Sequence, residues 1–324
     1  MTPTVSVVVT CYNFGRYVGT ALESIRTQTF EDYEVIVVDD GSTDESLAVI
    51  GRYLDDDRFR LIRQRHGGQA RAKNRGLTDA KGQFIAFLDA DDYWLPHKLA
   101  RQIPRFVDPR IGVVHTRRKL IDADGRRLEL PTAARVEPVG PALNALFRQN
   151  FICFSSAMLR RTVVEHVGLF DERIDLGIDY DFWLRVARWY EFDCVDEALT
   201  AYRIGHANLS RRQLERLHSA RAIMQRFRRH YGGDATLTRD AVARAEAETR
   251  HHLGVISRGF SRSAALGWEL QSLAARPTYW PAWRGLLATL APAPIRRLAR
   301  WLAGRSGAWE QHCFTDSNRP EPIL

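Results

Sequence analysis

Lysine is almost absent from this chain. Of its 324 residues 47 are lysine or arginine, yet lysine occurs only at Lys73, Lys81, Lys98 and Lys119. An arginine bias this general makes any single arginine weak evidence of a site. The four cysteines, Cys11, Cys153, Cys194 and Cys313, are scattered, and no two have metal-ligand or redox spacing. This excludes a cysteine-held zinc module and fits single thiols in a reducing compartment. No apolar run reaches the ~18–20 residues needed to span a bilayer. No charged, apolar and small-residue leader precedes the strand-like segment at Val5, so a cleaved signal peptide is not expected. The ordered Gly-x-x-x-x-Gly-Lys-Ser of a P-loop is missing, which argues against ATP hydrolysis of that type. There is no internal repeat.

What is present describes a folded chain with an anionic partner. Hydrophobic residues make up 45% and charged residues 27%, so a packed core is expected. The length suits one large domain with an appendage, or two domains. The net charge of +8 fits nucleotide phosphates, acidic lipid headgroups or nucleic acid. No recognised nucleic-acid-binding motif accompanies it, so nucleic acid is not an expected partner.

Along the first 92 residues, short apolar runs alternate with helix-spaced stretches. "VSVVVTCYN" (5–13), "YEVIVVDDGSTD" (33–44), "RFRLIRQ" and "QFIAFLDADD" read as strands. "RYVGTALESIRTQ" (16–28), "ESLAVIGRYL" (45–54) and "GGQARAKNRGLTDA" (67–80) read as helices between them, the last opening with a flexible turn. Continuously apolar strands separated by helices predict a mostly parallel sheet with helices on both faces. After Tyr93 the alternation fades. A helix is expected after Pro96, a strand at "IGVVHTRRKLID", a helix at 141–150, an amphipathic helix at "GIDYDFWLRVARWY" (177–190) and a strand at "FDCVDEALTAYRI". From about residue 211 the chain turns arginine-rich and helical, with an apolar aromatic stretch at 279–294. In "IRRLARWLAG", Ile295, Leu298 and Leu302 share one helical face. From Thr315 the end is expected to fray.

In an open parallel sheet, ligands bind beyond the carboxyl ends of the strands. Three predicted strands end there in polar clusters: Thr10 to Asn13, Asp39-Asp40-Gly41, and Asp89 to Asp92. Asp89 and Asp91, with only Ala90 between them, could share a divalent cation of the oxygen-loving kind, Mg²⁺ or Mn²⁺. Such an ion would also bridge a diphosphate. Asp39 or Asp40 could accept a base N–H or bond a ribose hydroxyl, or could simply cap the turn at Gly41 and Ser42. Arg71, Lys73, Asn74 and Arg75 could face phosphates. Asp179 and Asp181 open a helix, where a carboxylate is either a cap or a general base.

Six segments in this order, "VSVVVTCYN", "VIVVDDGSTD", "GGQARAKNRGL", "FIAFLDADDYWLPHKL", "VGLFDE" and "DYDFWLRVAR", resemble the family 2 glycosyltransferases of the GT-A fold. The resemblance covers roughly residues 4 to 210. It implies a Rossmann-like α/β sheet and inverting transfer of a sugar from a nucleotide diphosphate, UDP by default, to an acceptor hydroxyl, with a divalent metal. Position by position, Thr10, Tyr12 and Asp40 match residues around the nucleotide base, and Asp39 matches the neighbouring carboxylate of that motif. Asp89 and Asp91 match the metal-binding Asp-x-Asp. Asp179 matches the carboxylate base, and Trp183 and Arg185 match the usual pattern of its helix. Ile178 stands where many relatives have glutamate, so the base role falls to Asp179, with Asp181 in reserve. His206 matches a histidine that contacts the metal–diphosphate in relatives, although it sits one place late.

The resemblance implies a glycosyltransferase domain at 1–210, followed by a basic helical region at 211–324. The donor site is expected to use Thr10, Tyr12, Asp39, Asp40, Lys73, Asn74 and Asp89, and the metal site Asp89, Asp91 and His206. A cell-surface polysaccharide or lipid-linked glycan is the expected acceptor. The expected location is the cytoplasm or the inner membrane face, with Trp280, Trp283 and Trp301 at the interface. The rival readings are a non-catalytic nucleotide-sugar-binding scaffold on the same fold and a metal-dependent nucleotidyltransferase.

Overall fold

The computed structural model describes residues 2–128, 138–205, 212–232 and 236–292. The chain divides into two compact units, Met1–Leu143 with Phe151–Leu209 and Asn144–Asn150 with Ser210–Leu324. In chain order the first elements are β1 (Val5–Cys11), α1 (Gly15–Arg26), β2 (Tyr33–Asp39), α2 (Ser46–Gly51), β3 (Phe59–Arg63), α3 (Gln69–Asp79) and β4 (Phe84–Asp89). Next come β5 (Tyr93–Trp94), α4 (Lys98–Gln102), β6 (Ile111–Ile121), α5 (Leu143–Arg148), β7 (Met158–Arg160), α6 (Arg161–Val167), α7 (Ile178–Val186) and β8 (Glu191–Arg203).

These eight strands form one sheet in the order β3-β2-β1-β4-β7-β6-β8-β5. β1 to β4 are mutually parallel, as are β6 and β8. The sheet is therefore mostly parallel, as the apolar strands imply. β7 runs antiparallel to both β4 and β6, and β5 antiparallel to β8. At two or three residues these insertions are too short to show a period in the sequence. Val7, Val8 and Val9 of β1, Val35 to Val38 of β2 and Ile85 to Leu88 of β4 are all buried, without alternation. Both faces of these strands are covered, which is the condition under which a parallel sheet is stable.

One close approach fixes α3 on the sheet. A Cβ at Gly76 would lie 2.3 Å from Cγ1 of Val8 on β1, so only glycine lets the helix settle at this depth. α7 departs from the amphipathic expectation. Ile178, Tyr180, Asp181, Phe182, Trp183, Leu184 and Val186 are all buried. The helix sits in an aromatic cluster, with Phe182 4.6 Å from Phe170 and Trp183 6.2 Å from Phe154. Its polar residues come from the demands of its ends, not from a solvent face.

The second unit contains all of α5 but its first residue, then α8 (Gln213–Tyr231), α9 (Arg239–Ser257), α10 (Arg262–Ala275) and α11 (Trp280–Leu290). Thr238 caps α9 by accepting from the Ala241 N–H, and Ser261 caps α10 by accepting from Ala264. At the crossing of α9, α10 and α11, the fully buried Glu269 meets the His251 ring nitrogen at 2.7 Å. A Cβ at Gly285 of α11 would lie 2.0 Å from the Glu269 carboxylate, so that glycine makes the room for it. α10 is not evident in the sequence, because Gly267 and several alanines dilute its period. The stretch with Ile295, Leu298 and Leu302 lies outside the described residues, as do Trp301, Cys313 and the end from Thr315.

Gly76→Ala should destabilise the protein by about 1–3 kcal/mol, because the added methyl has no space against a strand core. The check is a lower urea midpoint with an unchanged slope; an unchanged midpoint would show that α3 can retreat freely.

Candidate active site

Strand order 3-2-1-4 places a topological switch point between β1 and β4, and the crevice at their carboxyl ends is where an open α/β sheet takes a ligand. The register puts Thr10 beside Asp89 there, and Cys11 beside Asp39. The three polar strand ends picked out in the sequence thus lie side by side.

Asp89 is met by a cation from the chain itself. Lys73, on α3 and buried, places its Nζ 2.7 Å from Asp89 Oδ1 and 4.5 Å over the Phe154 ring. Burial lifts the Asp89 carboxyl above the usual range; Lys73 opposes that shift, while the charges of Asp91 and Asp179 add to it. Asp179 is partly exposed in the first turn of α7 and so lies within electrostatic reach of Asp89. Asp181, the reserve candidate, is buried and bonded to Arg185 Nε at 3.0 Å. Arg185 also donates to the carbonyls of Val167 and Leu169, so that pair braces the loop before α7. Ile178 is buried, which is why a carboxylate would be out of place at that position.

The turn after β4 is held from below. Asp92 is buried and accepts from the Ser155 hydroxyl at 2.5 Å and from the Arg203 N–H at 2.9 Å. Its carboxyl is raised well above the usual range, by burial first and then by Asp91 and Asp89. Ser155 Oγ also accepts from the Asp89 N–H, and Arg203 Nε donates to the Asp91 carbonyl. Arg203 adds bonds to the carbonyls of Asp122 and Ala123. Ser155 and Arg203 escaped the sequence reading. "FICFSSAM" carries no signal, and the "YRIGH" stretch drew notice for its histidine.

At the end of β2 the two carboxylates differ. Asp39 is buried and accepts from the Ser42 N–H through Oδ2; among the described residues its Oδ1 accepts no hydrogen bond. Asp40 is saturated. It takes bonds from Gln64 Nε2 and from the N–H groups of Gly67 and Gly68, and His66 Nδ1 lies 2.9 Å away. Asp40 therefore shapes the glycine turn before α3, and the carboxylate oxygen that accepts nothing among the described residues belongs to Asp39. Gly41, at φ +80°, brings this turn against the backbone of His66. Tyr12, 41% exposed, stacks on His66 with ring centroids 3.9 Å apart and planes 19° apart. Nothing in the sequence distinguishes His66 beyond its place beside the glycines. Asn13 turns the chain after Tyr12 at φ 58° and accepts from the Thr43 N–H.

Asn74, expected beside the donor, faces elsewhere. Its amide nitrogen donates to Phe170 O and Glu172, and its oxygen accepts from the Phe170 N–H. Both ends hold the 170–172 loop. His206 lies outside the described residues.

The donor chemistry at Asp89 and Asp91 suits a hard divalent ion: carboxylates at a strand end, in a neighbourhood with more negative charge than Lys73 alone balances. Among the described residues no group of three or more histidine, cysteine or carboxylate side chains is arranged to hold a metal ion.

A family model described as glycosyl transferase family 2 matches residues 6–168. The chain belongs to that family. An uncharacterized glycosyltransferase of Nostoc sp. is 37% identical over 175 residues, 50% of this chain and 52% of that one. The chain thus spans about half the length of that curated relative. The mannosyltransferase PcManGT of Pyrobaculum calidifontis, in complex with GDP-Man and Mn²⁺, has a TM-score of 0.62 at 18% identity, over 97% of this chain and 84% of that one. S. aureus TarS 1–349 in complex with UDP-GlcNAc has a TM-score of 0.55 at 18% identity, over 88% and 90%. These two likenesses concern the fold, and they agree with the GT-A expectation.

The raised carboxyls of Asp89 and Asp92 have a consequence for stability. The folded state keeps their protons to higher pH than the unfolded chain does, so these groups lower stability as the pH rises above the ordinary carboxylate range. Lys73→Met should cost about 3 kcal/mol at neutral pH, by leaving a carboxylate without its cation. The deficit should shrink as Asp89 protonates in acid. Urea midpoints at pH 7 and pH 5 check this; a deficit independent of pH would assign Lys73 to packing alone.

Proposed function

We propose that the chain is an inverting glycosyltransferase moving a sugar from a nucleotide diphosphate donor, UDP-linked by preference, to an acceptor hydroxyl on a cell-surface polysaccharide or lipid-linked glycan. Residues 1–210 form its catalytic domain. It works in the cytoplasm, against the inner face of the membrane where the acceptor is lipid-linked. The observation that carries the reading is the electrostatic neighbourhood of Asp89, Asp91 and Asp179 beside Lys73 at the β1/β4 switch point. The family membership supports it, as do the GDP-Man and UDP-GlcNAc bound by the two structural neighbours.

The base sits near Tyr12, with the open oxygen of Asp39 accepting a ring N–H such as that of uracil. Thr10 lies beside it at the end of β1. Asp89 and Asp91 would hold Mg²⁺ or Mn²⁺, which when bound supplies positive charge to the leaving diphosphate. Lys73 adds an ammonium on the same side. Asp179 removes the proton of the acceptor hydroxyl. That oxygen then attacks the anomeric carbon from the face opposite the diphosphate; the new C–O bond forms as the old one breaks, its electron pair leaving on the phosphate oxygen. One displacement gives inversion. The proton passes from Asp179 to water.

Thermal unfolding with UDP, dTDP, GDP and CDP, each with and without Mn²⁺, tests the donor site. One nucleotide should raise the transition, by about 2.7 kcal/mol of stabilisation at a hundredfold excess over its dissociation constant, and Asp89→Ala should abolish the effect. No shift with any of them would overturn the reading. Asp179→Asn should keep the nucleotide shift while transfer falls by about 10²–10⁴; near-normal turnover would remove Asp179 from the base role.

A further inference from the structure

Two rings from distant parts of the first unit lie flat against each other at the carboxyl edge of the sheet. Tyr12 directly follows β1, and His66 stands in the turn between β3 and α3. Their centroids are 3.9 Å apart and their planes 19° apart. At that separation the rings are in contact, and no third ring fits between them. His66 is the only ring stacked on Tyr12 among the described residues, and 41% of Tyr12 stays exposed. The tyrosine thus has a backed face and an open one.

His66 is itself held, by its side chain and by its backbone. Its Nδ1 lies 2.9 Å from Asp40 Oδ2 and 3.2 Å from the Asp40 carbonyl oxygen. A ring nitrogen set between two acceptor oxygens carries a hydrogen and donates it. Asp40 has little freedom to follow, because it is buried and also accepts from Gln64 Nε2 and from the N–H groups of Gly67 and Gly68. A Cβ at Gly41 would lie 2.8 Å from the His66 nitrogen, so the turn after β2 presses on the His66 backbone as well. The contacts run outward from a buried carboxylate to an imidazole to a tyrosine ring.

This order supplies what Tyr12 alone lacks. A tyrosine past the end of a strand, with much of its surface in water, can turn among several orientations, and a ligand that stacks on it must freeze them. His66 sets the plane in advance. Stability gains little from the contact, since Tyr12 is 41% exposed and the His66 side chain 52%.

We infer that His66 is a positioning residue for the donor: it backs Tyr12 so that the nucleobase stacks on the opposite face, in the order Asp40, His66, Tyr12, base. The inference rests on the donor site of the proposed function and adds to it a residue that reaches the donor only through Tyr12. Stacking uses the π-face common to all bases, so His66 serves affinity and not the choice of base.

The test is titration calorimetry in Mn²⁺ with UDP, with GDP and with inorganic diphosphate, which has no base. His66→Ala should weaken the nucleotide that binds by about five- to tenfold and leave diphosphate unchanged, at an unchanged melting temperature. His66→Phe keeps a ring and loses the bond to Asp40; it should recover most of the loss. His66→Gln can keep the bond and loses the ring; it should not. In a Tyr12→Ala background, His66→Ala should cost nothing further. Equal nucleotide affinity in wild type and His66→Ala overturns the inference. So does tighter binding by that variant, which would make the histidine an obstacle to the base. An equal loss for diphosphate, or recovery by His66→Gln in place of His66→Phe, would confine His66 to holding the glycine turn. A wild type that binds neither nucleotide removes the donor site, and the inference with it; a wild type that binds while His66→Ala binds equally well removes the inference alone.

Discussion

The arrangement of the first unit depends on a carboxylate at the end of a buried parallel strand. Asp89 closes β4 between β1 and β7, in a place where an unbalanced charge is costly. Lys73 supplies the balance from α3 at 2.7 Å, and α3 reaches that depth because Gly76 lets it lie against Val8. Asp92, three residues on, is tied to Ser155 and to the backbone of Arg203, so the turn carrying Asp91 has little freedom to move. The charge pair, the glycine contact and the braced turn are one construction. Its effect is to present two carboxylates at the switch point with limited reorganisation on binding.

Neighbouring carboxylates take different work according to their partners. Asp40 is consumed by the glycine turn, while Asp39 keeps one buried oxygen without a hydrogen bond among the described residues. Asp181 is held by Arg185, which makes it part of the scaffold of the loop before α7. In both pairs a fully bonded member builds the scaffold, Asp40 around the glycine turn and Asp181 with Arg185. The same logic places Asn74 in the scaffold, since both ends of its amide are engaged.

Much of the first unit was legible in the sequence. Unbroken runs such as Val7 to Val9 and Ile85 to Leu88 can only be buried on both faces, and helix-spaced stretches between them force parallel crossovers. The Asp-Ala-Asp after such a run stands out because an apolar strand has no other reason to end in three carboxylates. β5 and β7 were not legible, because two or three residues show no period. α7 was misread as amphipathic because Asp179, Asp181 and Arg185 look like a polar face; burial among Phe154, Phe170 and Phe192 is a property of the packed chain.

The sequence by itself determined the class of fold, the order of the polar strand ends and the excess of positive charge, because these follow from local composition and periodicity; the family came from the resemblance of its ordered motifs. Only the tertiary structure decided that Asp40 is bound up in the glycine turn, that Lys73 is the cation at Asp89, that His66 stacks on Tyr12 and that α11 turns its large side chains outward. These depend on residues distant along the chain or on how an element packs. Local pattern carries no information on which hydrogen-bond partner arrives from elsewhere, and that arrival is what makes a carboxylate structural.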